Sequence, residues 1–426
     1  MADSSYDVIV IGAGAAGLLS AARSAERGRR TLLVEKNRKA GVKILMSGGT
    51  RCNITHDCDA AGIIAAFGSA GPFLHSPLAA LGPRDLIELL AAESLGTKVE
   101  HGGKVFPQSD HAADVLNALL QRLHRSGAEL ALDEPVMSIA RDGEGFRVET
   151  AKREIESEKL IVTTGGKSYP GCGTTGDGYA WLAQIGHTIR RPRPALVPLT
   201  SDEVWVQELA GVTMPDVQLR VVDPQETGAS KGKRRRTGLP PGVKIERRGS
   251  MLFTHKGLSG PVVLDVSRAI TAAKDPRLLT LSADFLPNER AHDLDDRLRS
   301  VAASDGKRIV AGIIAEELPR RLVEALFTRA AVPLDRRAAE LSAAERNRVV
   351  QQLKQCAICV TGSRGFEKAE VTAGGVALDE VDSRTMESKI VPNLFLAGEI
   401  LDLDGFIGGY NFQAAFSTGW VAGGSV

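Results

Sequence analysis

Directly after the strand-like run Asp7-Val-Ile-Val-Ile11 the chain reads Gly12-Ala-Gly-Ala-Ala-Gly17, and no other stretch restricts the fold as tightly. A strand that delivers into glycines at this spacing serves one geometry. The first glycine makes the tight turn, the second admits a pyrophosphate against backbone, and the third lets the following helix lie close on its strand. Ala21 and Ala25 continue the Gly17 row at i+4 spacing, Gly28 ends the helix, and a second strand over 31–35 finishes on Glu35. A carboxylate about 20 residues past the turn accepts both ribose hydroxyls and repels a 2′-phosphate. The opening is therefore expected to be a βαβ unit for FAD or NAD, not NADP.

The rest of the chain fits one such domain with material inserted into it. At 426 residues it is too long for a single core. Helical periodicity is expected near 85–95 and over 112–126, with strands near 136–140, 146–150 and 160–163. From Pro192 the texture changes to prolines and short alternating runs, then to helical spacing between 289 and 355, in particular over 308–330 and 343–355. Strand signals return after Cys356 and lead to a last helix from Asn411. The expected fold class is α/β: a discontinuous Rossmann-type domain (1–191 and 371–426) with a β-rich insert (192–285, returning at 355–370) that carries a helical subdomain (286–354).

Composition narrows the partners. Lys plus Arg number 53 against 52 Asp plus Glu, so no global field draws the chain to nucleic acid or membrane. Apolar runs stop well short of the roughly 20 residues a span needs, and residues 1–6 show no signal segment. A cytoplasmic protein with no membrane and no nucleic-acid partner is expected. Five cysteines, an odd number, suit reduced thiols better than a disulfide framework. The eight histidines show no metal-ligand spacing, and no metal is expected.

Three longer stretches carry a resemblance. Lys43-Ile-Leu-Met-Ser-Gly-Gly-Thr-Arg-Cys-Asn-Ile-Thr55, Gly165-Gly-Lys-Ser-Tyr-Pro170 through Gly178, and Ala397-Gly-Glu-Ile-Leu-Asp-Leu-Asp-Gly405 through Asn411 resemble the BaiN-like (YhiN-like) flavoproteins. Lesser matches are Gly103-Lys-Val-Phe-Pro107, Gly257-Leu-Ser-Gly-Pro261 and Thr385-Met-Glu-Ser-Lys389. The resemblance implies non-covalent FAD, a FAD domain interrupted by a β-barrel-like domain, and FAD contacts along the chain. The expected cofactor set is Gly12, Ala13, Gly14, Ala15, Ala16 and Gly17; Glu35 and Lys36; Lys43, Ser47, Gly48, Gly49, Arg51, Cys52 and Asn53; Val136; Thr164, Gly165 and Gly166; and Gly398, Glu399, Gly405, Gly408, Gly409, Tyr410 and Asn411. Arg51 would supply a cation, and the helix beginning near Asn411 would aim its positive end at the flavin N1 and O2. The sequence departs from the family's pattern at Thr50, Ile407 and Ala414, near the expected flavin.

Other features have two readings. Gly171, Gly173 and Gly176 repeat the glycine spacing, as a second nucleotide turn with Arg190 or Arg191 at hand or, because Pro170 starts it, as a loop covering the cofactor; the loop is favoured. Cys356-x-x-Cys359 has redox spacing but lies in an apolar strand pattern, which favours packing. Cys52 and Tyr410 are the candidate catalytic residues, with Tyr169 and His255 as further proton donors. Lys231, Lys233, Arg234, Arg235 and Arg236, with Arg247 and Arg248, form a basic cluster whose favoured reading is a solvated loop.

The function expected is a FAD-dependent oxidoreductase in which NAD(P)H reduces the flavin and hydride passes to an electron-poor double bond of a small organic substrate. The alternatives are an RNA-associated or tRNA-modifying flavoprotein and an oxygen-using amine oxidase.

Overall fold

The computed structural model describes residues 5–223 and 245–426. The Lys231 to Arg236 cluster lies outside the described residues. The chain forms two compact units, Met1–Arg193 with Glu370–Val426, and Pro194–Ala369.

The first unit is built on β1 (Ser5–Ile11), α1 (Ala15–Glu26) and β2 (Thr31–Val34). β1 and β2 pair in parallel, Val8 opposite Thr31 and Ile11 opposite Val34, so α1 is the crossover of a βαβ unit. The strand Glu129–Ala131 adds beyond β2, and Glu154–Val162 lies on the other side of β1, both parallel. Glu154–Val162 is longer than the strand expected over 160–163. Its first half alternates exposed Glu154, Glu156 and Glu158 with buried Ile155 and Ser157 and pairs antiparallel with Gly145–Thr150; its second half pairs in parallel with Leu394–Leu396. That last pairing returns the chain's final segment to the sheet.

α1 is almost wholly buried because it is covered on a second side by the last helix, Tyr410–Ser425. A Cβ at Gly419 would come 2.5 Å from the Ala16 carbonyl oxygen, and one at Gly423 2.3 Å from that of Ser20. Glycines four apart place one backbone directly on the other.

The second unit is an antiparallel sheet of seven strands in the order Cys356–Cys359, Thr280–Asp284, Thr213–Val222, Glu246–Thr254, Gly257–Ser259, Leu199–Thr200, Gly362–Ser363. The first and last of these are separated by only Val360 and Thr361, and Ser201 Oγ donates to the Cys359 carbonyl at 2.7 Å while Thr361 N–H donates to the Thr200 carbonyl at 2.8 Å. Two residues cannot cross a flat seven-stranded sheet, at about 4.8 Å per strand. The sheet curls until its ends meet, which is the barrel-like insert.

Helices fill the excursion between Asp284 and Cys356. The single helical stretch expected over 308–330 is two helices, Val310–Ile314 and Arg320–Arg329. Pro319 stands between them in extended backbone; it has no N–H to give and disfavours helix in the residue before it.

Candidate functional site

The ends of the parallel strands in the first unit converge on the glycine turn. Gly12 adopts φ +101°, and a Cβ there would lie 2.7 Å from the Thr163 carbonyl oxygen. At Gly17 a Cβ would fall 1.8 Å from the Gly12 carbonyl oxygen, whereas at Gly14 it would meet nothing within 4 Å. One glycine closes the turn on itself and another leaves it open. Thr163, not expected from the sequence, ties the turn to the neighbouring strand by donating to the carbonyls of Ile11 (2.9 Å) and Gly12 (2.8 Å).

Glu35 is buried and anchors the same turn. Its carboxylate accepts from Ala13 N–H at 2.8 Å and from Asn37 N–H at 2.9 Å. A carboxylate has about four acceptor positions, so two remain for the hydroxyls of a ribose. The stretch that leads to Val136 runs beside it, with Glu134 N–H donating to the Glu35 carbonyl at 3.0 Å.

The loop with the second glycine spacing packs on this turn. A Cβ at Gly173 would overlap the Asn37 side chain at 2.5 Å, and Lys36 bonds Thr175 and Asp177, each at 2.6 Å. Pro170–Cys172 is a single 3-10 turn, and Gly176 caps the helix Asp177–Gln184. Thr164, Gly165 and Gly166 lead into this loop, and the buried Thr164 hydroxyl finds no partner among the described residues.

The segment 43–55 is the most contorted. The helix α2 (Val42–Thr50) breaks at Ser47, and Gly48, Gly49, Thr50 and Cys52 all take left-handed backbone, with φ of +56°, +68°, +69° and +60°. Thr50 and Cys52 bear side chains in a region that costs a non-glycine residue about 1–2 kcal/mol, and strain of this kind collects at functional sites. A Cβ at Gly49 would meet nothing within 4 Å.

Cys52 is fully buried, and burial pushes its thiol up to about 12 in spite of a hydrogen bond with Ser47; it is a thiol at neutral pH, not a thiolate. Arg51, expected to supply a cation to the cofactor, is already ion-paired. It pairs with Glu100 at 2.6 Å and Asp110 at 3.2 Å and lies 4.1 Å over the Phe106 ring.

Lys43 joins an ion-pair cluster at the ends of the strands. Its ammonium contacts Glu399 and donates to Ser168 Oγ at 2.8 Å, while Ser168 Oγ donates to the other Glu399 oxygen at 2.8 Å. Thr372 completes the group: its N–H donates to Glu399 at 2.8 Å, and its hydroxyl accepts from Lys167 N–H (2.8 Å) and Ser168 N–H (3.0 Å). Ser168 and Thr372 were not among the expected residues. Ser168 stands inside a quoted motif; Thr372 gives no signal, being one polar residue in a buried strand.

Gly398, Gly405, Gly408, Gly409, Tyr410 and Asn411 surround the start of the last helix. Gly398 N–H donates to Thr418 Oγ1 at 3.0 Å. Asn411 holds the preceding turn, accepting from Gly405 N–H at 2.8 Å and donating to the carbonyls of Gly405 and Phe406 at 3.2 and 3.3 Å. No side chain caps this helix at Gly409 or α1 at Gly14. Tyr410 stacks on His56, ring centroids 4.6 Å apart.

Taken together, the open backbone at Gly14 and Gly49, the spare acceptors of Glu35, the orphan Thr164 hydroxyl and the two uncapped helix starts fit an extended dinucleotide. Away from the turn, the Cys356-x-x-Cys359 pair is split by its strand: Cys356 is buried, with burial raising its thiol to about 12, and Cys359 is exposed. Among the described residues no group of three or more His, Cys, Asp or Glu is arranged to hold a metal ion, and no helix is long and apolar enough to cross a membrane.

Comparison with known proteins gives a family match, the HI0933-like protein Rossmann domain, over residues 6–425. A relative from Escherichia coli (strain K12) named ribosomal RNA dihydrouridine synthase is 34% identical over 419 residues, covering 97% of this chain and 96% of its own. A Clostridium scindens relative named 3-dehydro-bile acid delta(4,6)-reductase is 30% identical over 421 residues, 97% of each chain. Among solved structures, the 3-ketosteroid-delta4-(5alpha)-dehydrogenase of Rhodococcus jostii RHA1 shares the fold with a TM-score of 0.52 at 14% identity, over 99% of this chain and 97% of that one.

Proposed function

The chain belongs to the HI0933-like protein Rossmann domain family and is a FAD-dependent oxidoreductase, and from that premise we propose that it uses NAD(P)H to saturate the C5=C6 bond of a uridine in ribosomal RNA. What carries this reading is the 34% identity, over nearly the full length of both chains, to the relative bearing the name ribosomal RNA dihydrouridine synthase. On this reading the substrate is RNA, the second of the sequence expectations, in place of a small molecule.

The bile-acid reductase relative supports the same chemistry with another substrate class. C5=C6 of uracil is conjugated to the C4 carbonyl, as a steroid double bond is to a 3-oxo group. Each is reduced by hydride at the β-carbon and a proton at the α-carbon.

Bound FAD would supply the hydride, replenished from NAD(P)H. The residues proposed to hold it are Glu35 at the ribose, the backbone of Gly12 to Gly17 and of Ser47 to Gly49 at the phosphates, Val136 and Thr164 to Gly166 on the adenosine side, and Gly398, Glu399 and the Gly408 to Asn411 turn at the flavin end. Lys43 keeps the half-buried Glu399 carboxylate compensated. Proton delivery is assigned to Tyr410, whose phenol stands at the first turn of the last helix. Cys52, buried and protonated, serves packing within the loop.

The test begins with anaerobic mixing of FAD-loaded protein with NADH and with NADPH, following flavin bleaching. Ribosomal RNA from a strain lacking the gene is then added, and its nucleosides are analysed for uridine that has gained two hydrogens. Bleaching followed by dihydrouridine is expected. Bleaching with reoxidation only by a steroid enone would move the substrate to the small-molecule class, and no bleaching with either nucleotide would refute the reductase.

A further inference from the structure

One peptide plane in the first unit is gripped at both ends. The Gly408 carbonyl lies 3.0 Å from His56 Nδ1, and since a carbonyl only accepts, that nitrogen carries a proton. With the Asn53 amide turned so that each of its atoms meets a complementary partner, the N–H of the same peptide unit, that of Gly409, donates to its side-chain oxygen at 3.0 Å, and its nitrogen donates to the carbonyls of Thr55 (3.0 Å) and Val105 (3.2 Å). His56 ends the short strand β3 (Thr55–His56) and Asn53 stands two residues before it, and Gly409 is pressed on the Thr55 carbonyl so closely that a Cβ would sit 2.3 Å from its oxygen.

The His56 ring is itself fixed from two directions. On one side it stacks on Tyr410 with 20° between the planes. On the other it abuts Gly103, where a Cβ would fall 2.5 Å from Nε2. Gly103 is left-handed, φ +78°, and its missing side chain is the space the imidazole occupies.

Gly408 and Gly409 have φ of +134° and +94°, and two successive glycines put little steric resistance in the way of turning the peptide between them. A flip would reverse a dipole of about 3.5 D at the start of a helix whose own positive end is there.

We propose that His56 is a positioning residue of the flavin site: by holding the Gly408 carbonyl and stacking on Tyr410 it locks the Gly408–Gly409 peptide, and thereby sets the flavin potential and the aim of the Tyr410 hydroxyl. The inference rests on the reading above that the start of the last helix faces the flavin. A released Gly408 carbonyl would bring its negative end to that helix start and disfavour the anionic reduced flavin.

The experiment uses the full-length FAD-loaded protein and reads the midpoint potential, which needs no organic substrate. H56F keeps a ring to stack on Tyr410 but has no donor for the carbonyl. It is expected to retain FAD and to hold the reduced form about tenfold less tightly relative to the oxidised form, a fall of about 30 mV for two electrons. H56A loses the stack as well, and its kcat is expected to fall further than that of H56F at similar KM. N53A combined with H56F should be non-additive in potential, since both grip one plane.

Wild-type potentials in both H56F and H56A would overturn the proposal, as would strict additivity with N53A. Shifted potentials in protein that never reduces RNA would leave the positioning role standing and refute only the substrate. Wild-type potentials in protein that does reduce RNA would do the reverse.

Discussion

Two glycines of the dinucleotide turn should fail in opposite ways when each gains one methyl group. At Gly14 the backbone is extended, φ −85° and ψ −166°, and a Cβ would meet nothing within 4 Å. G14A therefore has no steric cost in the free protein. Alanine is the poorer N-cap by up to about 1 kcal/mol, offset by about 0.4–1 kcal/mol from a stiffer unfolded chain, so the melting temperature of the FAD-free protein should barely move. The methyl would occupy the space through which a pyrophosphate reaches the first turn of α1. Losing one charge-assisted hydrogen bond costs about 1.5–3 kcal/mol, which is roughly 10- to 150-fold in FAD affinity. G17A is the converse. Its Cβ would stand 1.8 Å from the Gly12 carbonyl oxygen and 2.6 Å from Thr163 Oγ1, so α1 must retreat from β1. Overpacking of this kind costs about 3 kcal/mol or more, roughly 10 °C in melting temperature for a unit of this size. Differential scanning fluorimetry without FAD and flavin-fluorescence titration separate the two effects. A G14A protein that binds FAD like wild type would refute the placing of the pyrophosphate, and a G17A protein that melts like wild type would refute the packing argument.

Thr50 is left-handed at φ +69°, so T50G should relieve about 1–2 kcal/mol of backbone strain against about 0.4–1 kcal/mol of added unfolded-state entropy. A small rise in thermal stability is expected, and a loss above about 1 kcal/mol would contradict it. Thiol labelling of native protein should modify Cys359 quickly and Cys356 only on unfolding, and an oxidant should not join them; a disulfide between the two would disprove the strand geometry. His187 is buried, with Nδ1 3.0 Å from Glu380 and Nε2 2.9 Å from Ser388 Oγ. Burial holds its imidazole below its ordinary value although Glu380 opposes this, so the unfolded chain takes up the proton first. Its contribution to stability is complete above about pH 6.5 and declines as pH falls below that toward the folded-state value. In the melting temperature of wild type against pH, H187Q should remove that decline, and an unchanged profile would exclude His187 as its source.

Much of the first unit was legible because its constraints are local. The glycine turn, the small-residue face of α1 and the acid ending β2 are imposed by neighbours in sequence, and period-two and period-3.6 patterns carried the helix Ala112–Ser126 to its observed bounds. Charge broke the pattern elsewhere. Glu154, Glu156 and Glu158 disguise half of a strand whose outer face meets water, and Pro319 divides a stretch whose apolar spacing reads as continuous helix.

The sequence by itself determined a Rossmann-type dinucleotide fold and an inserted domain of different texture, since backbone conformation and hydrophobic period are written over a few residues, while the choice of FAD over NAD came from the longer family motifs. Only the tertiary structure decided what the polar side chains do at the strand ends. Arg51 is neutralised by Glu100 and Asp110, some 50 to 60 positions away; Ser168 and Thr372 close on Glu399; His56 reaches Gly408 across 352 positions. A charge or a hydroxyl has no period in the sequence, and its partner is fixed by where the sheet brings the chain back. Its environment, and with it its chemistry, exists only once the fold has formed.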